Sequence, residues 1–227
     1  MKIVMSIGGS LLTKELTIGN FKKYADVVLS LKRKGHKLVV ICGGGKVCRD
    51  YRDIAKGFTD DVDALDFLGI TATHINAATL VTAFGSDGYL VRWKSLKEAV
   101  KEVKQHFGKE IIVGGGYDVG TSSDFDAAAF AEAVGADLLI NATNIDGVYN
   151  DDPKRNPGAR KIPRMSHKEF EKIILQNPQI PGEYRLFDLA AVRVIKKMKL
   201  KTIFIDGSDP EEIVRAVEGT HNGTVVE

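Results

Sequence analysis

Three glycine-rich turns mark the places where this chain could bind phosphate. Each follows a short apolar run: SIGGS at residues 6–10, CGGGK at residues 42–46 and VGGGYDVGTSSD at residues 113–124. Without a Cβ, a glycine backbone can adopt positive φ and let a phosphate approach its N–H groups, and a following helix N-terminus adds partial positive charge. One such turn is as often tight packing as a ligand site, but three together favour a site for several phosphates.

The spacing of these glycines excludes two familiar nucleotide motifs. The segment CGGGKVC lacks the six-residue spacing of G-x-x-x-x-G-K-[ST], and no G-x-G-x-x-G sequence occurs in the chain. The turns therefore predict a phosphate site of a different design.

The elements that position these turns alternate between strand and helix along the chain. Apolar runs predict strands at KIVMSI, HKLVVIC, YLVRW, EIIVGGG, DLLINAT, KTIFI and GTVVE. Helical periodicity predicts helices between them, among them one capped by Asn20, one long or broken helix in residues 63–85 and one over LFDLAAVRVIKKM, which follows a loop NPQIPGEYR. Buried parallel strands joined by helices are expected, with the glycine turns at their carboxyl edge. No linker divides the sequence, which indicates a single domain over residues 1–227.

Composition limits the classes of partner. The 227 residues are 44% hydrophobic and 27% charged, with 32 Lys and Arg against 30 Asp and Glu, so no broad cationic face for nucleic acid or an anionic membrane is expected. No run approaches the roughly 20 apolar residues of a membrane span, and glycines split the apolar start. Two cysteines are too few for a disulfide scaffold or a zinc site, which favours a reduced, cytoplasmic protein.

Several candidate residues also have a structural interpretation. Arg49 could bind phosphate with its planar fork or lie solvated among neighbouring charges. Asp66 lies in an apolar stretch. Its carboxylate could accept hydrogen bonds from ribose hydroxyls, cap a helix or form an ion pair with a nearby basic residue. Asp124 reads first as a helix N-cap, and Asp146 as part of a hairpin turn. His74 lies in a helical stretch without a nucleophile at a recognisable spacing, which favours packing or substrate contact over a role as a base.

The order of the motifs adds a resemblance. SIGGSLL, CGGGKVCRDY, LDFLGITATHINA, GGGYDVGTSSDFDAAAFAEAVGAD, NATNIDGVYNDDPK and HNGTVVE resemble the ordered motifs of the amino acid kinase superfamily, and most closely its archaeal uridylate (UMP) kinase type. This resemblance implies a three-layer α/β/α sandwich around a mainly parallel sheet of about eight strands. It also implies a homohexamer built from dimers that uses ATP and Mg²⁺ to phosphorylate UMP to UDP.

The resemblance assigns residues on the ATP side by position. For the ATP phosphates it implies Gly8, Gly9, Ser10, Gly45 and Arg49. For the adenosine it implies Thr143, Tyr149 and Asp152. Asp124 and Asp146 would organise the reacting phosphates and, with Arg49, form the catalytic set; no metal ligands are assigned.

On the acceptor side the resemblance implies a second set of residues. UMP would be surrounded by Gly44, Asp66, Gly114, Gly115, Gly116, Tyr117, Asp118, Val119, Gly120 and Thr121. Three features depart from the family pattern: Ser6 stands where many members carry lysine, His74 stands where arginine is usual, and the loop after Gly114 is longer. Lys14 and Lys46 are candidates to replace the missing cation. Another small acceptor, or a relative that binds nucleotide or oxoanion without catalysis, remains an alternative.

Overall fold

An eight-stranded sheet forms the centre of the molecule in a computed structural model that describes residues 1–153, 155–176 and 187–227. The strands are β1 (Lys2–Ile7), β2 (Lys37–Cys42), β3 (Gly88–Leu90), β4 (Ile111–Gly114), β5 (Leu138–Thr143), β6 (Arg164–Met165), β7 (Thr202–Asp206) and β8 (Thr224–Val226). The helices are α1 (Gly9–Leu12), α2 (Ile18–Arg33), α3 (Gly45–Ala55), α4 (Val62–Thr82), α5 (Leu96–His106), α6 (Ser123–Val134), α7 (His167–Gln176), α8 (Leu189–Met198) and α9 (Glu211–Glu218).

The strand order brings the ends of three central strands to one level. The order across the sheet is β3-β4-β2-β1-β5-β7-β8-β6, and every neighbouring pair is parallel except β7 with β8. In this register Ile7 lies opposite both Cys42 and Ala142. The chain therefore leaves β1, β2 and β5 at the same edge, where Gly8, Gly43 and Thr143 follow or complete the strands.

Helices cover both faces of the sheet, which gives the expected three layers. The alternation of side chains along β1 sends Ile3, Met5 and Ile7 into one core and Val4 into the other. The first core is closed by α1, α2, α4 and α9, and the second by α5, α6, α7 and α8. The α/β/α sandwich with a mainly parallel eight-stranded sheet is thus confirmed.

Two of the glycine turns touch each other at the edge of the sheet. A Cβ added at Gly9 would lie 2.1 Å from the Gly45 nitrogen, and one at Gly45, where φ is +66°, would lie 2.3 Å from the Gly9 oxygen. Thr13 joins the turns, since its Oγ1 donates to the Gly9 carbonyl at 2.8 Å and accepts from the Lys46 N–H at 3.0 Å. Tight packing of backbone on backbone therefore explains these glycines without a ligand.

Helix starts were the least accurate part of the sequence interpretation. The cap of α2 is Thr17, whose side chain accepts from the Asn20 N–H, so the prediction of Asn20 as cap was wrong. Asn20 is buried and donates to the carbonyls of Leu11 and Leu12. Likewise α6 is capped by Ser122 rather than Asp124. The helix predicted from Leu186 begins at Leu189, after its cap Asp188.

Other differences concern short strands and loops. The predicted strand YLVRW ends at Leu90, so only its first two residues belong to β3. The two-residue strand β6 was not predicted. The predicted hairpin at Asp146 closes farther out, through a bridge between Tyr149 and Lys161. The predicted loop NPQIPGEYR lies outside the described residues.

Helix α4 qualifies the statement that no segment approaches a membrane span. It is long and apolar enough to cross a membrane by length and composition alone. A buried core helix of a folded domain has the same properties, and α4 packs on α3, β2 and β4 with Leu65, Ile70 and Leu80 buried.

Candidate functional site

Helix α3 separates two cavities at the carboxyl edge of the sheet. Its residues Cys48 and Arg52, one turn apart, line a cavity of about 270 Å³. Lys46 and Arg49, on another face of the helix, line a cavity of about 420 Å³. We call the first the loop cavity, because it is closed by residues 116–123, and the second the lysine cavity. Two ligands can thus approach the start of α3 from different sides.

The loop cavity joins α3, α4 and the third glycine turn. Asp66 of α4 accepts a hydrogen bond from the Gly120 N–H at 3.1 Å and lies 3.3 Å from the Arg52 guanidinium. Of the ten residues predicted around UMP, five line this cavity: Asp66, Gly116, Asp118, Gly120 and Thr121. The ion-pair alternative for Asp66 is therefore realised, and it does not prevent the carboxylate from facing the cavity.

The remaining predicted acceptor residues have other places. Gly114 ends β4, and Gly115 packs so tightly on Thr73 that an added Cβ would lie 2.4 Å from its Oγ1. Gly44 precedes α3, and a Cβ there would meet the Cys48 Cβ at 2.6 Å. Val119 is exposed at the loop tip. These residues shape the backbone around the loop cavity without lining it.

Tyr117 holds the loop through its side chain. Its ring is buried against Phe130 and the edge of His74, and its hydroxyl donates to the Val91 carbonyl at 3.0 Å. The Tyr117 carbonyl accepts from the Trp93 indole at 3.1 Å. The ring therefore points into the core and does not line the loop cavity, and the assignment of Tyr117 to UMP stays a prediction for its backbone.

Burial favours the neutral form of two titratable groups beside this loop, Asp126 and the partly buried His74. Burial raises the pKa of Asp126 to about 8, although a hydrogen bond from the Tyr117 N–H opposes the shift. Burial also lowers the pKa of His74, whose Nε2 lies 2.8 Å from the Gly116 carbonyl. His74 therefore donates to the loop as a neutral imidazole, which agrees with a packing role.

Asp124 lies at the centre of the edge, between the first and third glycine turns. Its Oδ1 accepts from the Ser6 hydroxyl at 3.2 Å and from the Asn141 side-chain amide at 2.7 Å. Ser6 and Asn141 face each other on β1 and β5. Because Ser122 caps the helix, the Asp124 carboxylate is directed to the ends of the two strands.

Asp146 belongs to a separate polar group beyond β5. It accepts from the Tyr149 hydroxyl at 2.7 Å and from the Lys161 ammonium at 2.8 Å. Burial alone would raise the pKa of Asp146, but these two hydrogen bonds outweigh it and hold the pKa below its usual value. The resemblance assigned Asp146 to the reacting phosphates and Tyr149 to the adenosine, and in the structure the two side chains are hydrogen-bonded to each other.

The residues predicted to bind ATP lie in two places: some lie at the glycine turns, and others lie at or beyond the end of β5, on the side of Asp146. Ser10 and Arg49 line the lysine cavity. Gly8 donates its N–H to the Ala142 carbonyl at 2.8 Å, so that N–H is not available to a phosphate. Thr143 accepts from the Ile145 N–H at 3.2 Å, and Asp152 lies 3.9 Å from Arg155. Thr143, Tyr149 and Asp152 line neither of the two cavities.

Sequence interpretation missed residues on both sides of the site. Arg52, Thr73 and Ser122 line the loop cavity. Arg52 follows Cys48 by four residues on a predicted helix, so the two residues share one face of that helix. Because Cys48 belongs to the glycine-rich motif, this spacing could have indicated that Arg52 lies near the site. Lys161 has no such signal, since it reaches Asp146 across a fifteen-residue loop.

Mg²⁺ chemistry fits this edge only with the help of a bound phosphate. Within residues 1–153, 155–176 and 187–227, no three His, Cys, Asp or Glu side chains converge as a metal site. Mg²⁺ commonly binds through one or two carboxylates together with substrate phosphates. Asp124 is placed to supply such a carboxylate.

Comparison with known proteins agrees with this arrangement. The amino acid kinase family matches residues 1–206. The uridylate kinase of Methanococcoides burtonii is 37% identical over 96% of this chain and 91% of its own length, and that of Methanothermobacter thermautotrophicus is 35% identical over 100% and 99%. The crystal structure of uridylate kinase from Archaeoglobus fulgidus superposes on this chain over 100% of both chains, with a TM-score of 0.86 and 33% sequence identity. This chain therefore belongs to the amino acid kinase family, in which these full-length relatives are uridylate kinases.

Proposed function

We propose that this protein transfers the γ-phosphate of ATP to UMP, giving UDP and ADP. The observation that carries the proposal is the pair of cavities on two faces of α3, one rich in unpaired cations and one built from a backbone loop and the Arg52–Asp66 pair. A phosphoryl transfer needs two anionic reactants held in line with their charge neutralised, and it needs little bond-making help from the protein. The uridylate kinase relatives support UMP as the acceptor.

The loop cavity is the proposed acceptor site. Asp66 would accept from ribose hydroxyls of UMP, while Arg52 would face the polar part of the ligand. The nearby loop is fixed by Thr73, which accepts from the Gly116 N–H at 2.7 Å. A rigid loop reduces the entropy lost when the acceptor is oriented.

The donor lies on the other side of α3 in this proposal. Gly9, Ser10, Gly45 and Arg49 would contact the ATP phosphates, and Thr143, Tyr149 and Asp152 would lie on the adenosine side. Asp124 and Asp146 would order the reacting groups, with Arg49 stabilising charge that develops during transfer. Bound Mg²⁺ would neutralise the phosphates. No nucleophilic side chain is required, so no covalent intermediate is proposed.

We further propose that the single domain over residues 1–227 acts in the cytoplasm as a homohexamer in pyrimidine nucleotide synthesis. The two free cysteines suit a reducing compartment. An apolar groove between α2, α3 and α4 supports assembly, since it contains exposed Leu16, Ile18, Tyr51 and Ile75. Ile18 is 87% exposed, which is unfavourable unless a second copy covers it.

Sedimentation velocity tests the assembly. The wild-type protein is expected to sediment as a hexamer at micromolar concentration, and Ile18→Glu as smaller species, because a charge would be buried at the interface. Leu175→Glu is the matched control, since Leu175 is 63% exposed on α7 and outside the groove. A wild-type protein that sediments as a monomer would contradict the proposal.

An acceptor screen tests the activity. ADP release with ATP and Mg²⁺ should be fastest with UMP among UMP, CMP, AMP, acetylglutamate, aspartate and isopentenyl phosphate. Equal or faster turnover of an amino acid or isopentenyl phosphate would instead support another small acceptor. ATP binding without ADP release for any acceptor would support a non-catalytic relative.

Asp66→Asn tests the acceptor site. The change keeps the size of the side chain and one acceptor oxygen but removes the charge, so KM for UMP should rise about tenfold, as for about 1.4 kcal/mol of a weakened charged hydrogen bond. KM for ATP should be unchanged. Asp63→Asn, an exposed change in the first turn of the same helix, is the control and should alter neither constant.

The substrate 2′-deoxy-UMP sharpens this test. This substrate lacks one of the ribose hydroxyls proposed to donate to Asp66. The Asp66→Asn change should therefore raise KM less for 2′-deoxy-UMP than for UMP. An equal loss for both substrates would show that Asp66 does not recognise the 2′-hydroxyl.

A further inference from the structure

The lysine cavity contains more positive charge than the residues assigned to ATP explain. Its lining includes Lys14, Lys23, Lys46 and Arg49, contributed by the segment after α1 and by helices α2 and α3, and it includes no Asp or Glu. Lys46 forms an ion pair with Asp50 at 2.5 Å. In the described part of the chain, Lys14, Lys23 and Arg49 form no ion pair. Three of the four cations around this cavity therefore lack an ion-pair partner among the described residues.

The walls of this cavity are fixed by hydrogen bonds between different elements. Asn20 of α2 donates to the carbonyls of Leu11 and Leu12 at 2.9 and 2.7 Å, and Thr13 links the end of α1 to the start of α3. The Tyr24 hydroxyl donates to the Gly207 carbonyl at 2.9 Å. The cations are consequently carried on a preformed frame, which lowers the entropy cost of binding an anion.

Two acidic residues near Tyr24 of this cavity, Asp206 and Asp209, have hydrogen-bonding or ion-pair partners of their own. Asp206 accepts from the N–H and the hydroxyl of Ser208, and Asp209 pairs with Arg215. They influence the cavity mainly through Tyr24, whose pKa is raised to about 12 by burial and by these two carboxylates. The lining toward the ligand offers donors from Ser10 and Asn144 in addition to the cations.

The cavity also lies where a donor nucleotide would extend. Ser10 follows β1, Asn144 follows β5 and Ser208 follows β7, so the cavity runs along the carboxyl ends of three strands toward Arg49 on α3. Open α/β sheets bind ligands at this edge. Ser6, in contrast, offers no positive charge on β1 and is hydrogen-bonded to Asp124.

We propose that Lys14 and Lys23 bind the triphosphate tail of the donor nucleotide in this cavity, together with Arg49. The positive charge absent at Ser6 is thereby supplied from the other side of α1. Lys46, held by Asp50, contributes less than the two unpaired lysines. This assignment rests on the proposed function for the identity of the donor, but not for the identity of the acceptor.

Calorimetric titration with inorganic tripolyphosphate, without UMP or metal, tests the cavity. Lys14→Gln and Lys23→Gln should each weaken tripolyphosphate binding by about tenfold or more, as for one hydrogen bond to a charged group. ATP should displace tripolyphosphate from the wild-type protein. Because the titration contains no acceptor, its result is independent of whether UMP is the substrate.

Lys22→Gln is the matched control. Lys22 precedes Lys23 on the same helix, but it pairs with Asp26 and faces the apolar groove. The variant has the same change in net charge, so it should retain wild-type binding, which separates local contact from the general field of the protein. The proposal would be overturned if Lys14→Gln, Lys23→Gln and Lys22→Gln bound tripolyphosphate equally well. It would also be overturned if ATP failed to displace tripolyphosphate from the wild-type protein.

Discussion

The site depends on the contact between the backbones of Gly9 and Gly45. These two residues approach so closely that neither has room for a Cβ, and Thr13 bonds to both turns. The contact fixes α1 beside the start of α3 at the ends of β1 and β2. Since α3 contributes to both cavities, the same contact sets the distance between them.

The charges around α3 are distributed unequally between its two sides. In the loop cavity Arg52 is compensated by Asp66, so this side can accept a ligand through polar contacts. In the lysine cavity, Lys14, Lys23 and Arg49 form no ion pair with any residue that the structure describes. A more highly charged anion is therefore favoured on the second side, which is the order expected for a triphosphate donor and a monophosphate acceptor.

Features set by local sequence were predicted well. The apolar runs of β1, β2, β4 and β5 are buried on both faces, so their pattern indicated parallel strands, and the glycines after them indicated the shared edge. Features set by distant contacts were not predicted. The cap of α2 depends on how Asn20 reaches α1, and the side chain of Tyr117 turns inward because His74, Val91 and Phe130 surround it. Nothing near these residues in the sequence indicates such partners.

The unfolding free energy of Gly9→Ala tests the importance of the glycine contact most directly. Gly19→Ala is the control, because Gly19 lies in α2 with no atom within 4 Å of an added Cβ. Measured by denaturant unfolding at equal protein concentration, Gly9→Ala should lose at least about 2 kcal/mol through overpacking, and Gly19→Ala should gain up to about 1 kcal/mol from reduced backbone entropy. A Gly9→Ala protein as stable as the wild type would contradict the view that this contact holds the site together.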